Sequence, residues 1–252
     1  MHDQSDRSAA PCDLSIVIPA YNEARRIRRT LEAVRACAAG AGARWEVVVV
    51  DDGSRDGTQA VVAGFDPGPL RLRLLVNERN RGKGHAVRRG MLAAAGDRVL
   101  MCDADLSAPI EEVYKLLAWV ERGYDVVIGS RDLPDSRLAP PQPPLRRLAA
   151  RAFRWLRRLI MLRGIQDTQC GFKLFRRAAA REIFSHATVN GWLFDCEALG
   201  LAERFGYRIR EVGIVWGNHP DTRVRPLRET FTALPRLLSI RRRLGRVRRV
   251  AQ

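Results

Sequence analysis

The sequence lacks several features that would settle its class at once. Its five cysteines (Cys12, Cys37, Cys102, Cys170 and Cys196) are scattered, and none forms a Cys-x-x-Cys pair. That excludes a zinc ribbon and a disulfide framework, and it reads as reduced thiols in a cytosolic setting. No run of about 18 apolar residues occurs, so no segment is expected to span a bilayer and any membrane contact is expected to be peripheral. The first twelve residues hold no apolar signal-peptide core; they and the last few residues are expected to be loose. The Gly-x-x-x-x-Gly-Lys-Ser/Thr phosphate loop is missing as well.

Acidic residues are also scarce in places. The net charge is +16, from 44 basic and 28 acidic residues. No acid stands between Asp135 and Asp167, where eight arginines occur, and none follows Glu229, where seven do. A solvated basic face does not account for acid-free blocks, so the pattern favours an anionic partner: phosphates, nucleic acid or a membrane surface. Nucleic acid is the poorest of these fits, because helix-turn-helix, RNP and zinc patterns are all absent.

What is present is an alternation. Leu14–Ile18, Val47–Val50, Leu72–Val76, Arg98–Cys102 and Asp125–Gly129 are apolar, β-branched runs that read as buried strands. Helices are expected between them, near Glu23–Ala39, Asp56–Ala63, Gly84–Ala95 and Ile110–Arg122. This order predicts an α/β domain with a mostly parallel sheet covered on both faces, and ligands at the carboxyl ends of its strands. Pro134–Pro144 carries five prolines and reads as a loop. Leu145–Arg163 reads as an amphipathic basic helix, apolar on one face and arginine-rich on the other, suited to a bilayer interface. A last strand is expected at Arg208–Trp216. The boundaries drawn are a flexible start (1–12), one domain (13–226) and a basic tail (227–252), in which Pro235 is expected to break any helix.

The polar motifs fall at the strand ends. Asp51-Asp52-Gly53-Ser54 reads at its plainest as an Asp/Gly turn with Asp56 as a helix cap. It is not a calcium loop, because Ala63 stands where the closing glutamate belongs. Asn80-Arg81-Gly82-Lys83-Gly84 allows backbone and one cation to approach phosphate closely. In Asp103-Ala104-Asp105, two carboxylates either side of one residue suit Mg²⁺ or Mn²⁺ with diphosphate oxygens completing the shell. Arg131 closes the fifth strand, and a guanidinium fork there matches phosphate oxygens. Gln169-Cys170-Gly171-Phe172-Lys173 reads as a tight turn carrying a cation, with Cys170 as packing. In Trp192-Leu193-Phe194-Asp195-Cys196-Glu197, Asp195 reads at its plainest as a helix N-cap with Glu197 in the first turn.

In this order, the Asp-Asp-Gly-Ser, Asp-Ala-Asp and Asp167-Thr168-Gln169-Cys170-Gly171-Phe172-Lys173 segments resemble family 2 glycosyltransferases. The nearer likeness is to the dolichyl-phosphate β-glucosyltransferase and polyprenyl-phosphate sugar synthase branch. The resemblance runs from about Leu14 to Val224. It implies a GT-A type fold and a nucleotide pocket lined by Pro19, Tyr21 and Glu23, with Asp52 accepting from the donor base. It also places Lys83, Asp103, Ala104, Asp105 and Gln169 around the donor and metal. Arg131 and Lys173 are then expected near the reacting phosphates, and Asp195 is the base that a hydroxyl acceptor would need. His85 stands where the family often has a small residue and is expected to be structural. The implied reaction is inverting transfer of glucose from UDP-glucose to a polyprenyl phosphate, by an enzyme peripheral on the cytoplasmic face of the membrane. GDP-mannose and soluble hydroxyl acceptors remain the alternatives.

Overall fold

The computed structural model describes residues 12–139, 160–162, 164–217 and 226–247, with side chains of 226–233 and Ala139 excepted. Two strands set the frame. β1 (Leu14–Ala20) and β2 (Trp45–Asp51) are buried at every residue and pair in parallel over their whole length. Valine and isoleucine dominate both, and their branched side chains fit a sheet covered on both faces. β3 (Arg71–Val76) and β4 (Arg98–Cys102) flank them in parallel.

Alternation along each strand then sorts the core. Ile16 and Ile18 of β1 face one layer with Val47 and Val49, while Val17 faces the other with Val48 and Val50. The first layer is covered by α1 (Ile27–Ala41), α2 (Thr58–Ala63) and α4 (Val113–Glu121). α1 buries Ile27, Leu31, Val34 and Ala38, one face at helical spacing. The second layer is covered by α3 (Lys83–Ala93), α5 (Arg177–His186) and α6 (Phe194–Arg204).

The sheet runs β3-β2-β1-β4-β7-β5-β8. β5 is Val126–Ser130 and β8 is Ile209–Gly213, parallel to each other. β7 (Phe172–Arg176) lies between β4 and β5 and is antiparallel to both. The predicted turn at Gln169–Lys173 therefore runs straight into a central strand. The sequence signal was weak because Lys173 sits among its apolar residues.

Three further expectations are corrected. Arg137–Ala139, inside the proline-rich loop, forms a short strand β6 that pairs with β9 (Val215–Gly217). The expected Arg208–Trp216 strand is accordingly split at Ile214, whose N–H donates to Ser130 in the main sheet while its carbonyl accepts from Arg137 in the small one. Pro235 does not break the C-terminal segment: α7 spans Pro226–Arg246. Leu237 and Ile240 bury against Ile160, Leu193 and Cys196, which offsets the roughly 3 kcal/mol of a mid-helix proline. Most of the expected tail is thus a packed helix. The Leu145–Arg163 helix lies outside the described residues apart from 160–162, as do residues 1–11 and 248–252.

The end of the sheet away from the motifs has its own polar lock. Glu46, fully buried, accepts from the Ser15 hydroxyl and from Ala95 N–H, while Gly96 N–H donates to Ser15 Oγ. Arg73 lies 3.6 Å from its second oxygen. Glu46→Ala strands these donors and should cost on the order of 2 kcal/mol in a urea unfolding curve. The folded variant should keep its activity, since the chemistry lies at the opposite strand ends.

Candidate active site

The carboxyl ends of β1, β2, β3, β4 and β5 open on one edge of the sheet. Because β7 is antiparallel, its amino end opens there too. Register fixes the meeting: Met101 pairs with Lys173 and Cys102 with Phe172, so Asp103 follows β4 beside Gly171. Asp103 N–H donates to the Gly171 carbonyl at 3.1 Å. A side chain on residue 171 would occupy the space of the Asp103 carboxylate. Glycine is required here by that close approach.

The turns after β1 and β2 are stitched together. Asn22 N–H donates to Ser54 Oγ, Glu23 N–H to Thr58 Oγ1 and Arg55 N–H to Asn22 Oδ1, each at 2.8 Å. Pro19 is buried within β1, Tyr21 is exposed at the rim, and Glu23 pairs with Arg26. Asp52 is buried and accepts from Asn77 Nδ2, Arg81 N–H and Gly82 N–H. Arg81 N–H is shared between Oδ1 and Oδ2, so each carboxylate oxygen takes two contacts from this loop and Asn77. Asp52 therefore shapes the Asn80–Lys83 loop, a role the motif alone did not reveal.

Lys83 opens α3 and reaches Asp103 Oδ1 at 2.6 Å. Its ammonium lies 4.9 Å from the Trp192 ring centroid. Burial works against its charge, but Asp103 and Asp195 outweigh that and raise its pKa. Asp105 accepts from Ser107 N–H and Oγ at 3.0 and 2.9 Å. Leu106, next along, holds φ at 47°, an unusual value for a non-glycine residue and the kind of strain that gathers at working sites. Ala104 is buried between the two acids, and its carbonyl accepts from Thr30 Oγ1.

On the β7 side, Asp167 grips Arg131 through both oxygens, at 2.7 Å to Nε and 2.9 Å to Nη2. Burial alone would raise the Asp167 carboxyl, but the guanidinium beside it holds it down at about 2. The Arg131 plane also rests on Trp216, 5.0 Å from its centroid. The fork uses one edge of the guanidinium and leaves Nη1 turned away from Asp167. Lys173 is 1% exposed and donates to Asp195 Oδ1 at 2.6 Å and to the Cys170 carbonyl. Asp195 is not the helix cap: Leu193 takes that place, and Asp195 turns inward to Lys173 from the first turn of α6. Burial raises the Asp195 carboxyl, with Lys173 and Lys83 pulling it back. Gln169 points its amide at Cys196 Sγ, 3.8 Å away. Burial pushes the Cys170 thiol up to about 12, as expected of a packing cysteine.

The chain has three lysines among its 44 basic residues, and two of them, Lys83 and Lys173, stand in this edge. Each meets a carboxylate at 2.6 Å as a compact point charge. Lysine scarcity is the sequence signal that singles them out.

The donor set fits a hard divalent ion. Asp103 and Asp105 offer oxygen ligands, and no group of three or more His, Cys, Asp or Glu side chains gathers among the described residues. An ion held here would take its remaining ligands from phosphate and water, as Mg²⁺ and Mn²⁺ commonly do.

A parallel sheet ending in acids and cations, joined by one antiparallel strand that brings a second set, defines a GT-A type nucleotide-diphospho-sugar transferase. Glucosyl-3-phosphoglycerate synthase from Mycobacterium tuberculosis, solved with Mn²⁺, UDP-glucose and phosphoglyceric acid, has this fold; the TM-score is 0.67 at 19% identity, over 93% of this chain and 80% of that one. The model of glycosyl transferase family 2 matches residues 15–184, and the chain belongs to that family. A dolichyl-phosphate β-glucosyltransferase of Drosophila melanogaster is 37% identical over 85% of this chain and 70% of its own. One from Saccharomyces cerevisiae is also 37% identical, over 81% and 66%. The protein is a hexosyltransferase of that sequence type.

Two predictions follow from the geometry. Gly171→Ala should leave a folded protein but displace the Asp103 carboxylate, lowering glycosyl transfer at least about 100-fold, on the scale of losing one preorganised electrostatic group; matched circular dichroism spectra with a transfer assay would check this. His85 supplies the second. It is buried, its Nδ1 lies 3.3 Å from Asn77 Nδ2, and Asn77 Oδ1 accepts from Arg89. Nδ1 must therefore accept, which requires neutral imidazole. Burial first, then Arg81 and Arg88, lower its pKa. The neutral form's contribution is complete above the unfolded value of about 6.5 and is lost as pH falls through the lower folded value. His85→Gln should flatten the fall in urea midpoint between pH 7.5 and 5.

Proposed function

We propose that this protein transfers glucose from UDP-glucose to a polyprenyl phosphate such as dolichyl phosphate, with inversion, at the cytoplasmic surface of a membrane. The observation that carries the choice of acceptor is the burial of Asp195 against Lys173. A hydroxyl nucleophile must lose a proton to a placed base. Asp195, the one carboxylate expected to serve, is 3% exposed and bonded to an ammonium. A phosphomonoester needs no base, because it is already anionic at neutral pH. It needs a cation and alignment, which Arg131 supplies.

In the reaction, an acceptor phosphate oxygen attacks the anomeric carbon as the bond to the UDP oxygen breaks, and UDP leaves with the electron pair. A divalent ion at Asp103 and Asp105 supplies charge neutralisation on that leaving diphosphate. Lys83 adds its charge at the same end. Arg131, held flat by Asp167 and Trp216, orients the acceptor phosphate. Asp52, an acceptor-only carboxylate, takes an N–H of the donor base in place of one share of the bifurcated Arg81 N–H. Pro19, Tyr21 and Glu23 border that pocket, while Gln169 and Lys173 support it from the β7 side. The named activity of the fly and yeast relatives supports this reading, and so does the +16 charge. No helix among the described residues is long and apolar enough to cross a membrane.

The raised Asp195 carboxyl favours one second reading, a soluble hydroxyl acceptor with Asp195 as base. Both readings meet the same test. Purified protein with Mg²⁺ or Mn²⁺ and polyprenyl phosphate should move labelled glucose from UDP-glucose into organic-extractable lipid, and move mannose from GDP-mannose much less. Asp105→Ala should lower transfer by at least about 100-fold. Folded protein that binds UDP yet labels no lipid from either donor would overturn the phosphate acceptor and leave the hydroxyl one.

A further inference from the structure

We infer that Arg243, on the C-terminal helix and more than 50 residues beyond the segment the family model matches, is a positioning residue for the nucleotide-diphosphate loop. The inference rests on the donor reading above, in which the Gly82–Gly84 loop and Lys83 face the diphosphate. The path is short and is built of hydrogen bonds at each step.

Arg243 Nη2 pairs with Glu197 Oε1. Glu197, on α6, is 2% exposed. Its other oxygen accepts from Thr188 N–H at 2.9 Å and Val189 N–H at 2.7 Å, and Thr188 Oγ1 lies 3.3 Å from Oε1. One carboxylate therefore fixes the backbone of the segment just ahead of Asn190. The Asn190 carbonyl in turn accepts from Gly84 N–H at 2.8 Å. It also lies where any side chain at residue 82 would fall, and Gly82 itself sits at φ 100°, open only to glycine. Lys83 stands between these two glycines, with its ammonium between Asp103 and the Trp192 ring.

The sequence motif explains Glu197 only as an acid in the first turn of a helix. Its geometry says more, because a helix-dipole partner would not need to be buried or to clamp a separate loop. Arg243 is the opposite charge paired with this buried carboxylate. Without it, Glu197 keeps three donors but loses its countercharge, and the Thr188–Asn190 segment loses a rigid anchor. The arginine also ties α7 to α6. That tie is not unique: Arg204 Nε donates to the Val247 carbonyl at 3.0 Å, and Leu237 and Ile240 are buried in the same interface. Loosening α7 and uncharging the Glu197 clamp can therefore be separated experimentally.

The test is the dissociation constant of UDP in Mn²⁺ for the full chain, measured by calorimetry beside thermal melts. Arg243→Ala should weaken UDP binding about 10-fold or more, Arg243→Lys should recover most of it, and Arg204→Ala should stay within about twofold of the parent at a comparable loss in melting temperature. Arg243→Gln, which keeps a donor but no charge, should fall with the alanine variant, and it serves if the alanine variant does not fold. Equal weakening by Arg204→Ala, or unchanged UDP affinity in both uncharged Arg243 variants, overturns the inference. Failure of the parent protein to bind UDP overturns the donor reading instead.

Discussion

The site depends on one contact, the Asp103 carboxylate lying in the space left by the missing side chain of Gly171. β4 delivers the acid and β7 delivers the glycine. The two strands run in opposite directions with Cys102 opposite Phe172, so the acidic turn and the Asp167–Gly171 segment must share one edge. Everything else is arranged around that junction. Lys83 approaches Asp103 from α3, Lys173 approaches Asp195 from β7, and Arg131 is turned toward the same opening by Asp167.

The electrostatics follow a consistent rule. Each cation in the opening, Lys83, Lys173 and Arg131, is already engaged by one carboxylate, and those pairs differ in how much they leave exposed. Asp195 and Lys173 neutralise each other out of solvent, which makes them a structural brace. Lys83 and Arg131 each pair with one carboxylate and keep part of their side chains exposed. Preorganisation of this kind places cations before a ligand arrives, and it costs little rearrangement during reaction.

Much of this was legible in the residues. The five apolar runs appear as strands β1 to β5 of the main sheet, because unbroken apolar runs in an α/β alternation have few other places to go. The Asp-x-Asp pair stands at a strand end because the run before it, Val99 to Cys102, is apolar and buried. Other features were hidden for identifiable reasons. β7 contains a lysine that is buried only because Asp195, more than twenty residues later, neutralises it, and no local pattern announces such a partner. Asp195 looked like a cap for the same reason. The helix through Pro235 was hidden because local propensity speaks of the backbone, while Leu237 and Ile240 answer to a groove formed by α6. Asp52 was recognisable as a motif residue, but its three backbone and amide donors come from a loop some thirty residues away.

The position of β7 also bears on how the chain emerges. The strand arrives after β5 yet is inserted between β4 and β5, so these two never touch through their own edges. The facing edges of β4 and β5 have residues 172–176 as their only link, so both stand bare in any state in which that strand has not paired. Unpaired strand edges in a half-made sheet are the surfaces most prone to capture by other chains. Pairing of one five-residue strand thus closes both edges and brings Gly171 and Asp103 together.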